Sequence, residues 1–241
     1  MNINDLEEKI RQSESMSLSA AFPILMRKVY LWMAMALAIS GLTAYSVAAS
    51  PGLVQLIYSN SLVMWGCIIA ELVMVWKISN SVAKENRSLA TTTLMFIIVS
   101  ALNGVTLSSI FVLFAPAAIV KTFVITAGTF GVMAAYGYFT SRDLTKIGGL
   151  LFMALIGVII ASVVNMFLHS SGLDLVVSII GVLVFVGLTA WDSQQIKMSL
   201  AMAPDLGETS QKLALTGALS LYLDFVNLFL YLLRFFGGSR D

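Results

Sequence analysis

Residues 213–236, LALTGALSLYLDFVNLFLYLLRFF, carry the pattern from which the fold of this chain follows. The stretch is longer than the roughly 20 apolar residues that a helix needs to cross a bilayer. Its polar side chains recur at spacings of four, three and four residues, which places them on one face of a helix. These residues are Ser220, Asp224, Asn227 and Tyr231. Because a face turned to lipid would not carry them, we expect a central helix whose stripe faces the bundle interior or a water-filled cavity. A stripe of structural hydrogen bonds between helices is the alternative.

The composition of the whole chain supports a membrane protein. Of 241 residues, 59% are hydrophobic and 11% are charged, and the mean hydropathy is +0.91. Ordinary soluble domains are about 45–50% apolar and about 25% charged. A soluble enzyme, a disordered chain and a secreted disulfide scaffold are therefore excluded. Cys67 is the only cysteine, so no internal disulfide forms, and the net charge of +1 gives no reason to expect a nucleic-acid partner.

Seven apolar runs are long enough to span a bilayer as helices. They cover residues 29–49, 62–78, 92–114, 123–139, 147–168, 173–191 and 213–236. Apolar runs of helix length favour a helical bundle over an outer-membrane barrel. The predicted organisation is a cytosolic N-terminal arm at 1–28, a transmembrane domain at 29–236 and a short tail at 237–241. The arm is polar and acidic, unlike a signal peptide, and its few apolar positions slightly favour a free arm over an amphipathic surface helix.

The basic residues are distributed unevenly between the two sides of the predicted bundle. Eleven fall on the side of the N-terminus and three on the other. The first group is Lys9, Arg11, Arg27, Lys28, Lys77, Lys84, Arg87, Arg142, Lys146, Lys197 and Lys212, and the second is Lys121, Arg234 and Arg240. The positive-inside rule then predicts a cytosolic N-terminus, and seven spans place the C-terminus outside.

Three acidic residues lie within apolar runs, where an unpaired charge costs several kcal/mol. They are Glu71 in the second run, Asp192 at the end of the sixth and Asp224 in the seventh. The last two runs are antiparallel neighbours, and a turn at 204–207 leaves the two aspartates about 7 Å apart along the helix axis. Since tilt or an irregular turn absorbs such a difference, we expect the two carboxylates to meet in the cytosolic half of the bundle.

Two carboxylates in a site of low dielectric constant cannot both ionise freely, so the pair retains a proton and titrates as a unit. Such a pair is a proton switch and, when ionised, a set of hard oxygen ligands suited to Ca²⁺. Intramembrane aspartyl proteases also use aspartates on neighbouring spans. Their Gly-x-Gly-Asp signature is absent here, where residues 221–224 read LYLD. No enzymatic activity is therefore expected.

The segments around both aspartates resemble the C-terminal signature of the Bax inhibitor-1 family. They are residues 190–194, AWDSQ, and 221–229, LYLDFVNLF. Further similarity to that family lies in residues 70–72 (AEL), 101–108 (ALNGVTLS), 136–138 (YGY) and 142–145 (RDLT). The resemblance extends from about residue 27 to 236. The short connections are typical of a prokaryotic member, for which the bacterial inner membrane is the expected location.

The resemblance implies an all-α membrane protein with seven transmembrane helices, six of which surround a central C-terminal seventh. It also implies a pH-sensitive calcium leak, with Asp192 and Asp224 at the positions of the pH sensor and gate and as a transient Ca²⁺ site. In the family an arginine of the second helix holds the aspartates in the closed state. The second run here contains no arginine, so Lys77, Lys84 and Arg87 are the candidate substitutes.

We therefore expect a passive, proton-modulated channel for calcium ions, without a tightly bound cofactor. Its partners would be the lipid bilayer, calcium ions and protons. Glu71 is expected to line the same cavity as the aspartates, with Asn103 and Asn227 supplying neutral oxygens. The alternative is a regulatory protein that binds a membrane protease or stress and cell-death machinery through the cytosolic arm. A secondary transporter is less favoured, because no inverted repeat is evident.

Overall fold

The computed structural model describes residues 3–83 and 87–237, with the backbone alone for residues 3–20. Within these ranges the chain forms helices and no strand. The helices are α1 (Ile3–Ala48), α2 (Pro51–Ser59), α3 (Ser61–Ser79), α4 (Leu89–Leu107), α5 (Ser109–Leu113), α6 (Pro116–Phe139), α7 (Thr145–Leu168), α8 (Ser171–Ala201) and α9 (Glu208–Phe236). Seven helical segments are long and apolar enough to cross a membrane: Ala21–Ala48, Leu89–Leu113 (α4 with α5), and α3, α6, α7, α8 and α9. The predicted seven-helix membrane protein is confirmed.

The C-terminal helix α9 occupies the centre of the bundle, as the polar stripe predicted. It is the most buried span and contacts α1, α3, α4, α6 and α8. Its Tyr222 and Leu228 are completely buried. Helix α7 lies at the periphery of the bundle, since it packs on α8 and, over the described residues, on no other helix.

The last two helices are longer than hydropathy predicted. Helix α8 continues ten residues past 191 to Ala201, and α9 begins at Glu208 rather than at 213. These extensions are amphipathic, and each buries one face against the bundle through residues such as Ile196, Leu200 and Ser210. A hydropathy run marks only the apolar part of a helix, whereas one packed face is enough to continue it.

The first helix differs from the predicted division at residue 28. Helix α1 is continuous from Ile3 to Ala48 and contains Pro23. Residues 21–28 already belong to the bundle, because Ala21, Leu25 and Met26 are buried. The described backbone of residues 3–28 is helical, and the assignment of residues 1–28 to a cytosolic arm stays a prediction. Of the predicted tail at 237–241, only residue 237 lies within the described ranges.

Local sequence signals set several helix ends. Pro51 and Pro116 begin α2 and α6, where a missing backbone N–H has no cost. The side chains of Asn60, Ser88 and Ser170 accept hydrogen bonds from the first turns of α3, α4 and α8. The third predicted span, 92–114, is interrupted at residue 108 between α4 and α5.

Consecutive spans are joined by short connections and so alternate in direction through the bundle. The connections 140–144 and 202–207, and the described residues 80–83 and 87–88 between α3 and α4, lie at the end of the bundle where the α1 span begins, at residue 21. We call this end the basic end, because most of the lysines and arginines whose side chains the structure describes lie there.

Candidate functional site

The close packing of α8 on α9 fixes the height of both aspartates. A Cβ atom at Gly181 would lie 2.7 Å from the ring of Tyr231, and one at Gly217 would lie 3.0 Å from Ile196. Glycine at these two positions lets the helices approach closely at both ends of their contact. This antiparallel register brings Asp192 and Asp224 to nearly the same level.

Asp192 and Asp224 are in contact, as the sequence predicted. Their carboxyl groups lie close enough to share a hydrogen bond. Asp224 is only 5% exposed, whereas Asp192 is half-buried. Because a carboxylate accepts but does not donate, a hydrogen bond between two carboxyl groups requires a proton on one of them. The structure thus places two carboxyl groups between α8 and α9 where one shared proton would join them.

One oxygen of the pair has no partner. Asp224 Oδ2 is buried and makes no hydrogen bond within the described residues. An unsatisfied buried polar atom costs about 1–3 kcal/mol. Such an atom is retained where a buried group has a role beyond packing, as at redox, catalytic or ion-binding sites.

A small polar cavity extends from Asp192 toward the basic end. Its volume is about 150 Å³, and it is lined by α8 and α9 alone. Its polar lining residues are Asp192, Gln195, Ser199, Thr216 and Ser220. We call this cavity the vestibule. Polar side chains of the vestibule lie between Asp192 and the basic end of the bundle, whereas Asp224 lies deeper.

The polar stripe of α9 faces α8 along its length. Ser220 lines the vestibule, and Tyr231 stacks on Phe185 with ring centroids 5.8 Å apart. Asn227 does not supply an oxygen to the vestibule, contrary to the sequence prediction. Its Nδ2 donates a 2.8 Å hydrogen bond to the backbone oxygen of Leu223 in its own helix.

Glu71 and Asn103 form a separate polar site, so the prediction that they line the same cavity as the aspartates is wrong. Asn103 Nδ2 donates a 2.5 Å hydrogen bond to Glu71 Oε1, which joins α4 to α3. Neither residue lines the vestibule. The cause is the rotation of α9: Tyr222 faces α1 and α4 through Ser40 and Phe96, while Asp224, two residues later, points to the opposite side.

Of the residues proposed to replace the arginine of the second helix, Lys77 and Arg87 are not at the carboxyl pair. The Lys77 side chain is exposed, and Arg87 donates a hydrogen bond to the backbone oxygen of Lys77 at the end of α3. Lys84 lies outside the described residues. The ion pairs within the described ranges join Lys212 to Glu208 at 3.3 Å and Arg234 to Asp174 at 3.7 Å. They do not involve Asp192 or Asp224.

The residues beside Asp192 anchor α8 to its neighbours, which sequence reasoning missed. Ser193 Oγ donates a 2.8 Å hydrogen bond to the backbone oxygen of Ala134 in α6. The indole of Trp191 lies directly on Gly148 of α7, where a Cβ would be 2.2 Å from the ring. Together with Asp192 toward α9, consecutive residues of α8 therefore contact three different helices.

Gln194 continues this series by binding the connection between α6 and α7. Its Oε1 accepts a 2.9 Å hydrogen bond from Leu144 N, and its Nε2 donates a 2.8 Å bond to Arg142 O. In the same connection, hydrogen bonds from the hydroxyl and backbone N–H of Thr145 lower the pKa of Asp143 below its ordinary value. In the sequence, the run of polar residues at the end of the sixth apolar stretch is the signal from which these contacts could have been predicted.

The donor atoms at the site are all oxygens. Two carboxyl groups are accompanied by the hydroxyl and amide groups of the vestibule, and Ca²⁺ takes six to eight oxygen ligands. Within the described residues no group of three or more His, Cys, Asp or Glu side chains could hold a metal ion.

Comparison with known proteins identifies the family. A model of the family described as "Inhibitor of apoptosis-promoting Bax1" matches residues 23–241, which include both aspartates. The chain belongs to the Bax inhibitor-1 family. It is 47% identical to the inner membrane protein YbhL of Escherichia coli over 89% of this chain and 92% of that protein. It is also 47% identical to an uncharacterized protein of Borreliella burgdorferi over 89% and 91% of the two chains.

A third relative of this family member is an uncharacterized protein of Rickettsia prowazekii, 41% identical over 90% of each chain. All three matches cover nearly the whole length of both proteins. The family assignment confirms the resemblance stated from the segments around Asp192 and Asp224. It therefore applies to the whole bundle and not to an isolated motif.

Proposed function

We propose that this protein is a passive, proton-modulated pathway for Ca²⁺ in which Asp192 and Asp224 form the pH sensor and gate. The single observation that carries the proposal is the close approach of these two carboxyl groups in the interior of a membrane bundle. Two acids placed so closely between the central helix and α8 favour a shared proton over two charges. The proposal assigns the protein no enzymatic activity and no tightly bound cofactor.

Loss of the shared proton would change the contact from attraction to repulsion. Two full charges about 4 Å apart repel by about 4 kcal/mol at an effective dielectric constant of 20. Since the α8–α9 contact is otherwise formed by packing and by glycine positions, repulsion acts to separate the helices at this level. The protonated pair is the closed state in this proposal, and the ionised pair is the open state.

The ionised pair also attracts the permeant ion. Asp192 is the more accessible acid and would meet Ca²⁺ arriving through the vestibule, where Ser220 and Thr216 offer neutral oxygens. Both consequences of ionisation act in the same direction. The proposed flux therefore rises as the pH increases through the titration of the pair.

We further propose that the protein lies in a bacterial inner membrane with the basic end in the cytosol. The excess of lysine and arginine at this end supports that orientation. The relative YbhL is described as an inner membrane protein. In this orientation the vestibule extends toward the cytosol, and the C-terminus lies outside.

The test is Ca²⁺ flux into proteoliposomes that contain the purified full-length protein, measured over a series of pH values. The variants are Asp192→Asn and Asp224→Asn. An asparagine amide donates to the remaining carboxylate at every pH, so each variant keeps the hydrogen bond without a titratable proton. We expect low flux that no longer increases with pH in both variants.

The matched control is Asp174→Asn, which removes an acid from the first turn of α8 that pairs with Arg234. This control should keep the wild-type pH dependence. Wild-type dependence in both dyad variants would overturn the proposal, and so would an absence of Ca²⁺ flux in a folded wild-type sample at every pH.

A further inference from the structure

A lateral groove separates α1 from α6. These two helices both pack on α8 and α9, yet within the described residues their backbones do not approach each other. The rings of Phe22 and Tyr138 stack between them near the basic end, with centroids 6.4 Å apart. The space between them holds a cavity of about 660 Å³, several times the volume of the vestibule. The groove lies on the outside of the bundle, away from the contact between Asp192 and Asp224.

Small and aromatic residues of α6 shape one wall of this groove. Gly131 lies on the wall with open space beside it, and Ala134 and Ala135 follow. The opposite wall consists of α1 side chains such as Met26 and Met33. The methionine side chains are flexible and adapt to an irregular apolar occupant.

The groove continues away from the basic end as a second apolar space. This space of about 110 Å³ also lies between α1 and α6, and Leu37 lines both. Its other lining residues include Gly41, Ala44 and Phe123. The two apolar spaces follow one another along α1, on either side of Leu37.

The groove carries a positive charge at its basic end. Arg27 is exposed and is the one charged side chain among the described residues that line it. Lys197 lies beneath the same end, where its Nζ donates a 2.7 Å hydrogen bond to Tyr138 O and stands 5.3 Å from the Tyr138 ring centre. Tyr30 and Tyr138 both line this end, at the depth where amphipathic aromatic rings prefer the membrane interface.

We infer that the groove between α1 and α6 is a binding site for an anionic phospholipid, with an acyl chain in the groove and the phosphate at Arg27. Bulk lipid tails are as apolar as the groove lining, so the acyl chain alone gives little preference for this site. The selectivity comes from the arginine. Arginine matches the geometry of a phosphate group with two donors, and Lys197 adds a second positive charge nearby. This inference is independent of the proposed calcium pathway.

The experiment compares phosphatidylglycerol with phosphatidylcholine of the same acyl chains. Purified full-length protein is mixed with equal amounts of the two lipids, and bound lipid is counted by native mass spectrometry. We expect wild-type protein to prefer phosphatidylglycerol. The variant Arg27→Gln should reduce this preference about fivefold, the effect of one basic residue on an anionic lipid. Lys146→Gln, which removes an exposed lysine at the same end but outside the groove, should retain it.

A second pair of variants tests the acyl-chain part of the site. Gly131→Leu fills the groove, and Gly128→Leu adds the same side chain to α6 outside the groove. A Cβ atom has no neighbour within 4 Å at either position, so both variants should fold. Gly131→Leu should displace the tightly held lipid, while Gly128→Leu should not. Glycerol phosphate, which has the charge without the chain, should fail to compete.

Three outcomes would overturn the inference. The first is equal binding of the two lipids by the wild-type protein. The second is unchanged phosphatidylglycerol binding in both Arg27→Gln and Gly131→Leu. The third is capture of a protein helix instead of lipid by a photoreactive residue placed at 131 in cells, because the groove would then be a docking site for another membrane protein.

Discussion

The amide of Asn103 donates its hydrogen bond to Glu71 on the side of α9 opposite to the Asp192–Asp224 pair. Tyr222 faces the same side of the bundle, since its hydroxyl lies 2.7 Å from Ser40 Oγ and its ring packs on Phe96. Acidic groups thus lie on two sides of the central helix, and two acids lie close together on only one of them. This separation allows the two sites to be tested independently.

The first prediction concerns Glu71→Gln. Asn103 can donate to the glutamine oxygen as it does to the carboxylate, so the contact between α3 and α4 is kept. If the carboxyl pair is the pH sensor, this variant should retain the pH dependence of Ca²⁺ flux in proteoliposomes. The same assay on Asp224→Asn provides the comparison. Loss of pH dependence in Glu71→Gln would move the sensor to the Glu71–Asn103 site.

The second prediction concerns the hydroxyl of Tyr222. It is completely buried and bonded to Ser40, whose Oγ also lies 2.7 Å from Ser100 O. Tyr222→Phe removes one buried hydrogen bond while keeping the ring, which should lower the free energy of unfolding by about 0.5–1.5 kcal/mol. Thermal unfolding in detergent, followed by far-UV circular dichroism, measures the change.

The control for this prediction is Tyr45→Phe. The Tyr45 side chain is 63% exposed, and its ring contact with Phe111 is kept in the variant. We expect an unchanged midpoint in this control. Equal midpoints for both variants would mean that the hydroxyl of Tyr222 contributes nothing to the contact between α1 and α9.

The central position of α9 could be predicted because its signal does not depend on the neighbouring helices. An aspartate that shares one helix face with other polar residues marks that face as turned away from lipid, however the neighbouring helices pack. The contact between Asp192 and Asp224 could also be predicted, since the rise per residue along two consecutive antiparallel helices fixes their relative height. Both predictions use only one helix or one hairpin.

The location of Glu71 could not be predicted, because it depends on how α3 and α4 rotate about their own axes. Helix α3 is almost uniformly apolar and is the least buried span. Such a helix has no polar face that would fix its rotation. The roles of Ser193 and Gln194 were missed for a related reason. Two polar residues at the end of an apolar run show no periodicity that would place them on a buried face, yet both are buried.

The third prediction concerns the contact between α6 and α8 at Gly137. A Cβ atom there would lie 2.0 Å from the backbone oxygen of Ala190, two residues before Asp192. Backbone cannot move aside as a side chain can, so Gly137→Ala must separate the helices. We expect a cost of about 1–3 kcal/mol in thermal unfolding, as for other overpacked sites. Gly128→Ala on the same helix has open space and should leave the unfolding midpoint unchanged.

The fourth prediction concerns Gln194, the residue that binds the connection between α6 and α7. Gln194→Leu has a similar shape but cannot hydrogen-bond, so it leaves Leu144 N and Arg142 O without their partner. An unsatisfied buried group costs about 1–3 kcal/mol, which increases the open population of the connection about fivefold or more. Since Arg142 is exposed and lies in this connection, trypsin should cleave after it correspondingly faster.

Gln195→Leu is the matched control for this cleavage. Gln195 is the next residue of α8, and its Nε2 reaches only the Thr145 hydroxyl, at 3.5 Å. This distance is too long for a strong hydrogen bond, so cleavage after Arg142 should stay at the wild-type rate. If Gln194→Leu and Gln195→Leu are cleaved equally slowly, the connection is held by the packing of Leu144 and not by the amide of Gln194. A rate that increases only in Gln194→Leu identifies the amide as the anchor that joins this connection to the helix of Asp192.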